Sequence, residues 1–148
     1  MSRGRRLAVL PARKLIGGHA EGEALATAHP LTFWGGIDPS TAVIIEAQHE
    51  LLGQSVTGKV LVFPRGAGSS SGCGVLMEML RRGNNPAAII NIETEAVLAL
   101  GPIIARELYR RSFPIVTVKP AHFARLRTGD RLVVDADAGQ VRVQREGA

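Results

Sequence analysis

VLVFPRGAGSSSGCGVLMEML, residues 60–80, joins three kinds of sequence without a linker. Val60–Phe63 is a continuous apolar run of the kind buried on both faces of a sheet. From Val75 to Arg82 apolar residues recur at helical spacing, with Val75, Leu76, Met79 and Leu80 facing inward, and Gly83-Asn84 supplies a helix stop. Between them, Pro64–Gly74 holds four glycines and three consecutive serines. Glycine lets a backbone turn tightly and come close to a ligand, and the serine hydroxyls stand where a helix start leaves its amides unpaired. A strand, a glycine-rich serine loop and a helix start predict a ligand site on the loop.

Working outward, Pro86–Ile92 (PAAIINI) reads as a second buried strand, which makes a parallel strand–helix–strand unit. Thr94 is placed to cap a helix from Glu95, and Gly101-Pro102 predicts a break into two short helices. In the second, Pro102–Arg111, the pattern puts Ile103, Ile104 and Leu108 toward the core and Arg106, Arg110 and Arg111 in solvent. Phe113–Val118 is another strand, and Arg131–Asp135 with Gln140–Gln144 alternates around Ala138-Gly139 as a hairpin does. Toward the N-terminus, strands are predicted at Ser55–Phe63, Ala42–Glu46 and Gly22–Ala28, and at Leu7–Ile16 with a break at Pro11. Met1–Arg6 reads as a basic, mobile tail. No linker or repeat divides residues 1–148, so a single layered α/β domain with a mixed sheet is expected.

Composition excludes several classes. With 45% hydrophobic and 21% charged residues, the 148-residue chain has the make-up of a globular domain. No apolar run approaches the ~20 residues of a membrane span, and the N-terminus lacks a signal peptide's apolar core, which sets the expectation of a cytoplasmic protein without membrane contact. The single Cys73 excludes an internal disulfide and a multi-thiolate metal site within this chain, so a metal would take its ligands from a partner. The net charge of +5 is accompanied by only 4% aromatic residues and no nucleic-acid motif, and no nucleic-acid partner is expected.

The loop's chemistry narrows by elimination. A Walker loop needs Lys after its glycine, and neither Gly68 nor Gly72 supplies it; the dinucleotide pattern fails because Ser71 stands where the third glycine belongs. Gly68-Ser69-Ser70-Ser71-Gly72 does match a nucleophile elbow, but His122 is the one histidine after it. What remains is a serine used as a base, its alkoxide stabilised by amides at the helix start. Outside the loop, Trp34 and Phe33 beside Gly35-Gly36 suggest a packed turn, and Asp38 is placed either to cap the next turn or to face the serine loop. His49, alone in a polar loop, reads as solvated rather than catalytic, and Cys73 as a small packing residue.

The blocks PLTFWGGIDPST, GKVLVFPRGAGSSSGCGVLMEML, NPAAIINIETEAVLALGPIIARELY and TGDRLVVDADAG resemble the small subunit of the aconitase X family, over nearly the whole chain from about Leu15. The resemblance implies a three-layer β/β/α swivelling domain like the mobile domain of aconitase. It implies a hetero-oligomer with an aconitase X large subunit whose cysteines hold iron or an iron–sulfur cluster, and a hydro-lyase that is inactive without that subunit. In this family the serine after the glycine-rich turn accepts a proton during dehydration of a small hydroxy acid; the aligned residue is Ser69, with Ser70 and Ser71 shaping the loop. Arg65, Gly66, Gly68, Gly36 and Asp38 complete the expected substrate contacts. Members are similar to cis-3-hydroxy-L-proline dehydratases, the first expectation here, and to mevalonate 5-phosphate dehydratases, the alternative; a non-catalytic anion-binding module is the competing class. Many relatives carry Arg where Ala67 stands, which leaves an anion contact either absent or supplied by Arg65.

Overall fold

The computed structural model describes residues 5–67, 72–94 and 96–146. Its first two strands, β1 (Arg5–Pro11) and β2 (Arg13–Ile16), are separated by Ala12 alone. Then come β3 (His19–Ala26), three two-residue strands, β4 (Leu31–Thr32), β5 (Ile37–Asp38) and β6 (Val43–Ile44), and the central β7 (Val60–Val62). β8 (Gly66–Ala67), α1 (Gly72–Arg82), β9 (Ala88–Asn91), α2 (Ala96–Tyr109) and β10 (Ile115–Thr117) follow. The chain ends with α3 (Pro120–Phe123), β11 (Arg131–Asp135) and β12 (Gln140–Glu146).

Eight strands form one sheet in the order β1-β12-β11-β3-β7-β9-β10-β2. β3, β7, β9 and β10 run parallel in the middle, and the strands toward both edges are antiparallel. Because β1 and β2 occupy opposite edges and are one residue apart, the sheet curls into a nearly closed barrel. Side chains alternate across its wall. Val60, Val62, Ala88, Ile90 and Val116 enter an inner core with Leu132, Val134, Val141 and Val143. Leu61, Ile89 and Ile115 point outward into a second core under Leu76, Met79, Leu80, Leu98 and Ala105 of the helices. Two β walls and one helical layer are the three-layer β/β/α arrangement expected from the resemblance.

The strand–loop–helix–strand unit stands as read, with β7 and β9 parallel neighbours around α1. Gly83, at φ 80°, ends α1, its N–H and that of Asn84 both reaching the Met79 carbonyl. The C-terminal hairpin also forms, with Asp135 paired to Gln140.

Several expectations need correction. Arg5 and Arg6 are not tail but the start of β1, paired with Glu146 and Arg145. The strands expected over Ala42–Glu46 and Ser55–Phe63 contract to Val43–Ile44 and Val60–Val62, the latter because residues 57–58 form a turn. The helix expected to break at Gly101-Pro102 runs unbroken as α2. Finally, α2 does not bury its bulky residues: Leu98, Ala99, Gly101, Pro102 and Ala105 are inside, whereas Ile103, Ile104 and Leu108 are exposed. Packing distance explains both helix results. A Cβ at Gly101 would lie 2.9 Å from the Cys73 carbonyl oxygen and 3.1 Å from Leu76 Cβ, so α1 and α2 meet backbone to backbone through a small-residue face. That close contact compensates for the amide that Pro102 lacks.

Near the end of the barrel, buried Asp130 accepts from Arg145 Nε (2.8 Å) and Nη2 (2.7 Å) and from the Arg127 amide (2.9 Å). Burial pushes this carboxyl up, but the guanidinium fork and the amide outweigh it and hold it below the usual carboxylate range. Its contribution to stability is therefore complete above the unfolded-state value, about pH 4, and is lost as pH falls through the lower native value. No helix among the described residues is long and apolar enough to cross a membrane.

Arg145→Met is expected to cost about 1–3 kcal/mol at pH 7 and progressively less below about pH 4, measured as denaturant midpoints across pH. Gly101→Val is expected to push α1 and α2 apart and cost about 1–3 kcal/mol, a drop of several degrees in Tm; an unchanged Tm would show that the helices can separate freely.

Candidate functional site

β3, β7 and β9 point their carboxyl ends the same way, which is where parallel sheets present ligand sites. The glycine-rich loop leaves β7 at this end; its entry is fixed by hydrogen bonds to backbone atoms and its exit by packing. At the entry, buried Phe63 donates its N–H to the Ile90 carbonyl (3.2 Å), and its own carbonyl accepts from Asn91 Nδ2 (2.8 Å). The Pro64 carbonyl accepts from the amides of Ile92 (3.0 Å) and Glu93 (3.1 Å). One residue on, the Leu31 amide donates to the Arg65 carbonyl (3.3 Å), and Gly66-Ala67 pairs as β8 with Leu31-Thr32 of β4. At the exit, buried Gly72 opens α1, and a Cβ there would lie 3.4 Å from Phe33 Cβ and 3.8 Å from Leu98 Cδ1. Gly68, Ser69, Ser70 and Ser71 lie between these flanks and outside the described residues.

The remaining expected contacts separate. Arg65 is exposed beside the loop, and Gly66 is half-buried within β8. Gly36 is buried for a steric reason, since a Cβ would fall 1.9 Å from the Thr32 carbonyl oxygen. Asp38 caps its own turn: Oδ1 accepts from the Ser40 amide (2.9 Å) and hydroxyl (2.7 Å), and those bonds hold the carboxyl below its usual range. The next residue, Pro39, accepts at its carbonyl from Asn84 Nδ2 (3.0 Å), just past the C-terminus of α1. Asp38 thus sits by the end of α1 remote from the serine loop, roughly 15 Å of helix away.

His49 is buried rather than solvated. Its Nδ1 accepts the Leu51 amide (3.0 Å), which leaves the proton on Nε2 for the Pro30 carbonyl (3.2 Å), and the ring pins the segment before β4. The neighbouring Glu46 does similar work, accepting the Thr32 amide at Oε1 (3.1 Å) and so bracing β4 behind β8. Cys73 is half-buried and its backbone meets Gly101, in keeping with a packing role. Phe33 packs against Phe63, but Trp34 is exposed.

Two features were not legible in the sequence. Asn91 is fully buried, with Nδ2 on Phe63 and Oδ1 accepting the Thr94 hydroxyl (2.7 Å), so Thr94 serves this network as well as standing before α2. Its only signal was one amide closing an apolar strand. A cavity of about 220 Å³ also opens at the ends of β3 and β7, lined by Thr27, Glu50, Val62, Phe123, Arg127 and Thr128. The hydrogen bond from the Thr27 hydroxyl outweighs burial and keeps the Glu50 carboxyl below its usual range. Residues 27, 50 and 127 share no spacing pattern that could have announced the cavity.

Comparison with known proteins bears directly on this architecture. The family model of the aconitase X swivel domain matches residues 9–143. The phosphomevalonate dehydratase small subunit of Thermococcus kodakarensis is 40% identical over 138 residues, covering 93% of this chain and 98% of that protein. The corresponding small subunit of Methanothrix thermoacetophila is 41% identical over 123 residues, covering 83% of this chain and 85% of that protein. In the crystal structure of Thermococcus kodakaraensis aconitase X, in its holo form, a chain 40% identical superposes with a TM-score of 0.83, covering 92% of this chain and 98% of that one. A 41% identical protein solved by NMR in solution gives a TM-score of 0.80. With its sequence and its curled three-layer fold in agreement, the chain belongs to the aconitase X swivel-domain family, whose members here are small subunits of a dehydratase.

Proposed function

We propose that this chain is the small subunit of a phosphomevalonate dehydratase and that it brings Ser69 to a site on a large subunit. One observation carries the substrate: the curated relatives that match over nine-tenths of the chain bear that name. The earlier expectation of cis-3-hydroxy-L-proline gives way to the alternative on the same ground. Both compounds are β-hydroxy acids, so the chemistry asked of the loop is the same.

A C–H bond on the carbon beside the carboxylate breaks, and its electron pair becomes the new carbon–carbon double bond. The C–O bond on the next carbon breaks with its electron pair passing to oxygen, and the hydroxide leaves as water with a proton from solvent, which is balanced when Ser69 releases its own. Ser69 receives the proton from carbon. A serine alkoxide is costly in water, and the start of α1 immediately after the loop supplies amide dipoles that lower the cost. Arg65, exposed at the loop entry, is assigned to a substrate anion, with Gly66, Gly68, Ser70 and Ser71 forming the cradle. Among the described residues no group of three or more His, Cys, Asp or Glu is placed to hold a metal ion. The iron or iron–sulfur centre is assigned to the large subunit because the family resemblance implies it, and the steps given to this chain use its own groups.

Ser69→Ala in the assembled enzyme is expected to lower kcat with mevalonate 5-phosphate by roughly 10²–10⁴-fold without affecting assembly. Retained turnover would remove Ser69 from the reaction, and turnover of cis-3-hydroxy-L-proline in place of the phosphate would overturn the substrate. Asn91→Leu leaves the Phe63 carbonyl and the Thr94 hydroxyl unpartnered. It is expected to cost about 1–3 kcal/mol of stability and to lower turnover of the assembled enzyme, read from denaturant midpoints and from kcat.

A further inference from the structure

The two helices of the outer layer present different surfaces. The exposed side of α1 carries Glu78, ion-paired to Arg81 and Arg82, as a solvated helix face does. The exposed side of α2 carries Val97, Leu100, Ile104 and Leu108, recurring at spacings of three and four, with Ile103 beside them. Leu108 is 62% exposed and Leu100 44%. Since α2 already buries a face of small residues against α1, this bulky stripe is surplus to the domain's own packing. It continues along most of a 14-residue helix, roughly 20 Å.

The upper end of the stripe meets the start of α1, which the serine loop enters. Phe33, Gly72 and Leu98 converge where the loop enters α1, and their immediate neighbours Trp34 and Val97 are 61% and 36% exposed. An exposed tryptophan at such a junction is the residue type that anchors interfaces. The lower end is basic: Arg110 closes α2, and Arg111 donates through Nη1 to the carbonyls of Leu80 (3.2 Å) and Arg81 (3.1 Å), bringing it beside Arg81 and Arg82.

We propose that the surface running from Trp34 along Val97, Leu100, Ile104 and Leu108 is the docking face for the large subunit, which meets the basic end with an acidic rim. The assignment rests on the small-subunit reading above. A chain that completes the site must reach the serine loop, and this surface begins beside Gly72, the residue that follows that loop, and continues away from it. A second copy of this chain seated here would obstruct the loop from the partner it has to serve.

The test measures binding of the purified chain to its own large subunit, comparing wild type, Leu100→Glu/Leu108→Glu, Trp34→Ser and the control Val9→Ser, which alters an exposed apolar residue on β1 at a sheet edge. The helix pair and Trp34→Ser are expected to weaken binding by at least roughly a hundredfold and tenfold, with the control unchanged. Hydrogen exchange on the wild-type complex guards against misfolding of a variant: assembly is expected to slow exchange in residues 96–109. Wild-type affinity in the variants, or no protection of that helix in the complex, overturns the docking face while leaving the small-subunit reading intact. Loss of self-association by the isolated chain with an undisturbed hetero-complex assigns the stripe to a second copy and overturns it as well. Failure of the wild-type chain to bind any large subunit overturns both.

Discussion

Ala12 alone separates two strands that lie at opposite edges of an eight-stranded sheet, and this covalent constraint shapes the rest of the molecule. A flat sheet of that width could not place its edges one residue apart, so the wall curls and acquires an inside and an outside. The inside is filled by alanine, valine and Ile90 from alternate positions of the central strands; the outside takes leucine and isoleucine under two helices. The two central strands β7 and β9 are consequently buried along their whole length, and the crossing from sheet to helix starts at Phe63, at the carboxyl end of β7.

That crossing is held by several independent parts of the chain. Asn91 and the amides of Ile92 and Glu93 fix the carbonyls of Phe63 and Pro64 from the strand beside them. From the other side, β4 fixes Gly66 and Ala67, and β4 is itself steadied by Glu46 and by the turn pinned through His49. Leu98 of α2 and Phe33 close on the first residue of α1. The segment from His29 to Glu50, irregular as it is, serves as a brace for the loop.

The strand–loop–helix–strand unit and the C-terminal hairpin were legible in the sequence because local pattern decides them: Val60–Val62 and Ala88–Asn91 are apolar without interruption, and Ala138-Gly139 sits between alternating runs. The buried side of α2 was not legible, because hydrophobicity favours isoleucine and leucine inside whereas the geometry of close helix contact favours Gly101 and Ala105. Pro102 misled for a related reason, since tertiary packing outweighs the loss of a single helical hydrogen bond. In the candidate site, the loop was found from its glycines and serines, but the roles of Gly36 and Asp38 depend on which end of α1 their segment touches, and spacing carries no such information. Asn91 and the cavity beside Thr27 arise from pairings between distant strands and were equally out of reach.

The anchoring of the loop has a consequence for how this scaffold can diversify. The bonds at its entry reach the backbone carbonyls of Phe63, Pro64 and Arg65, and its exit is a glycine packed against Phe33 and Leu98. These mounts lie in backbone atoms of the entry and in the packing of Gly72 at the exit. The two posts are therefore independent of the letters strung between them, and a protein engineer can splice a foreign segment of the same length across them, leaving recognition chemistry to the residues it brings in.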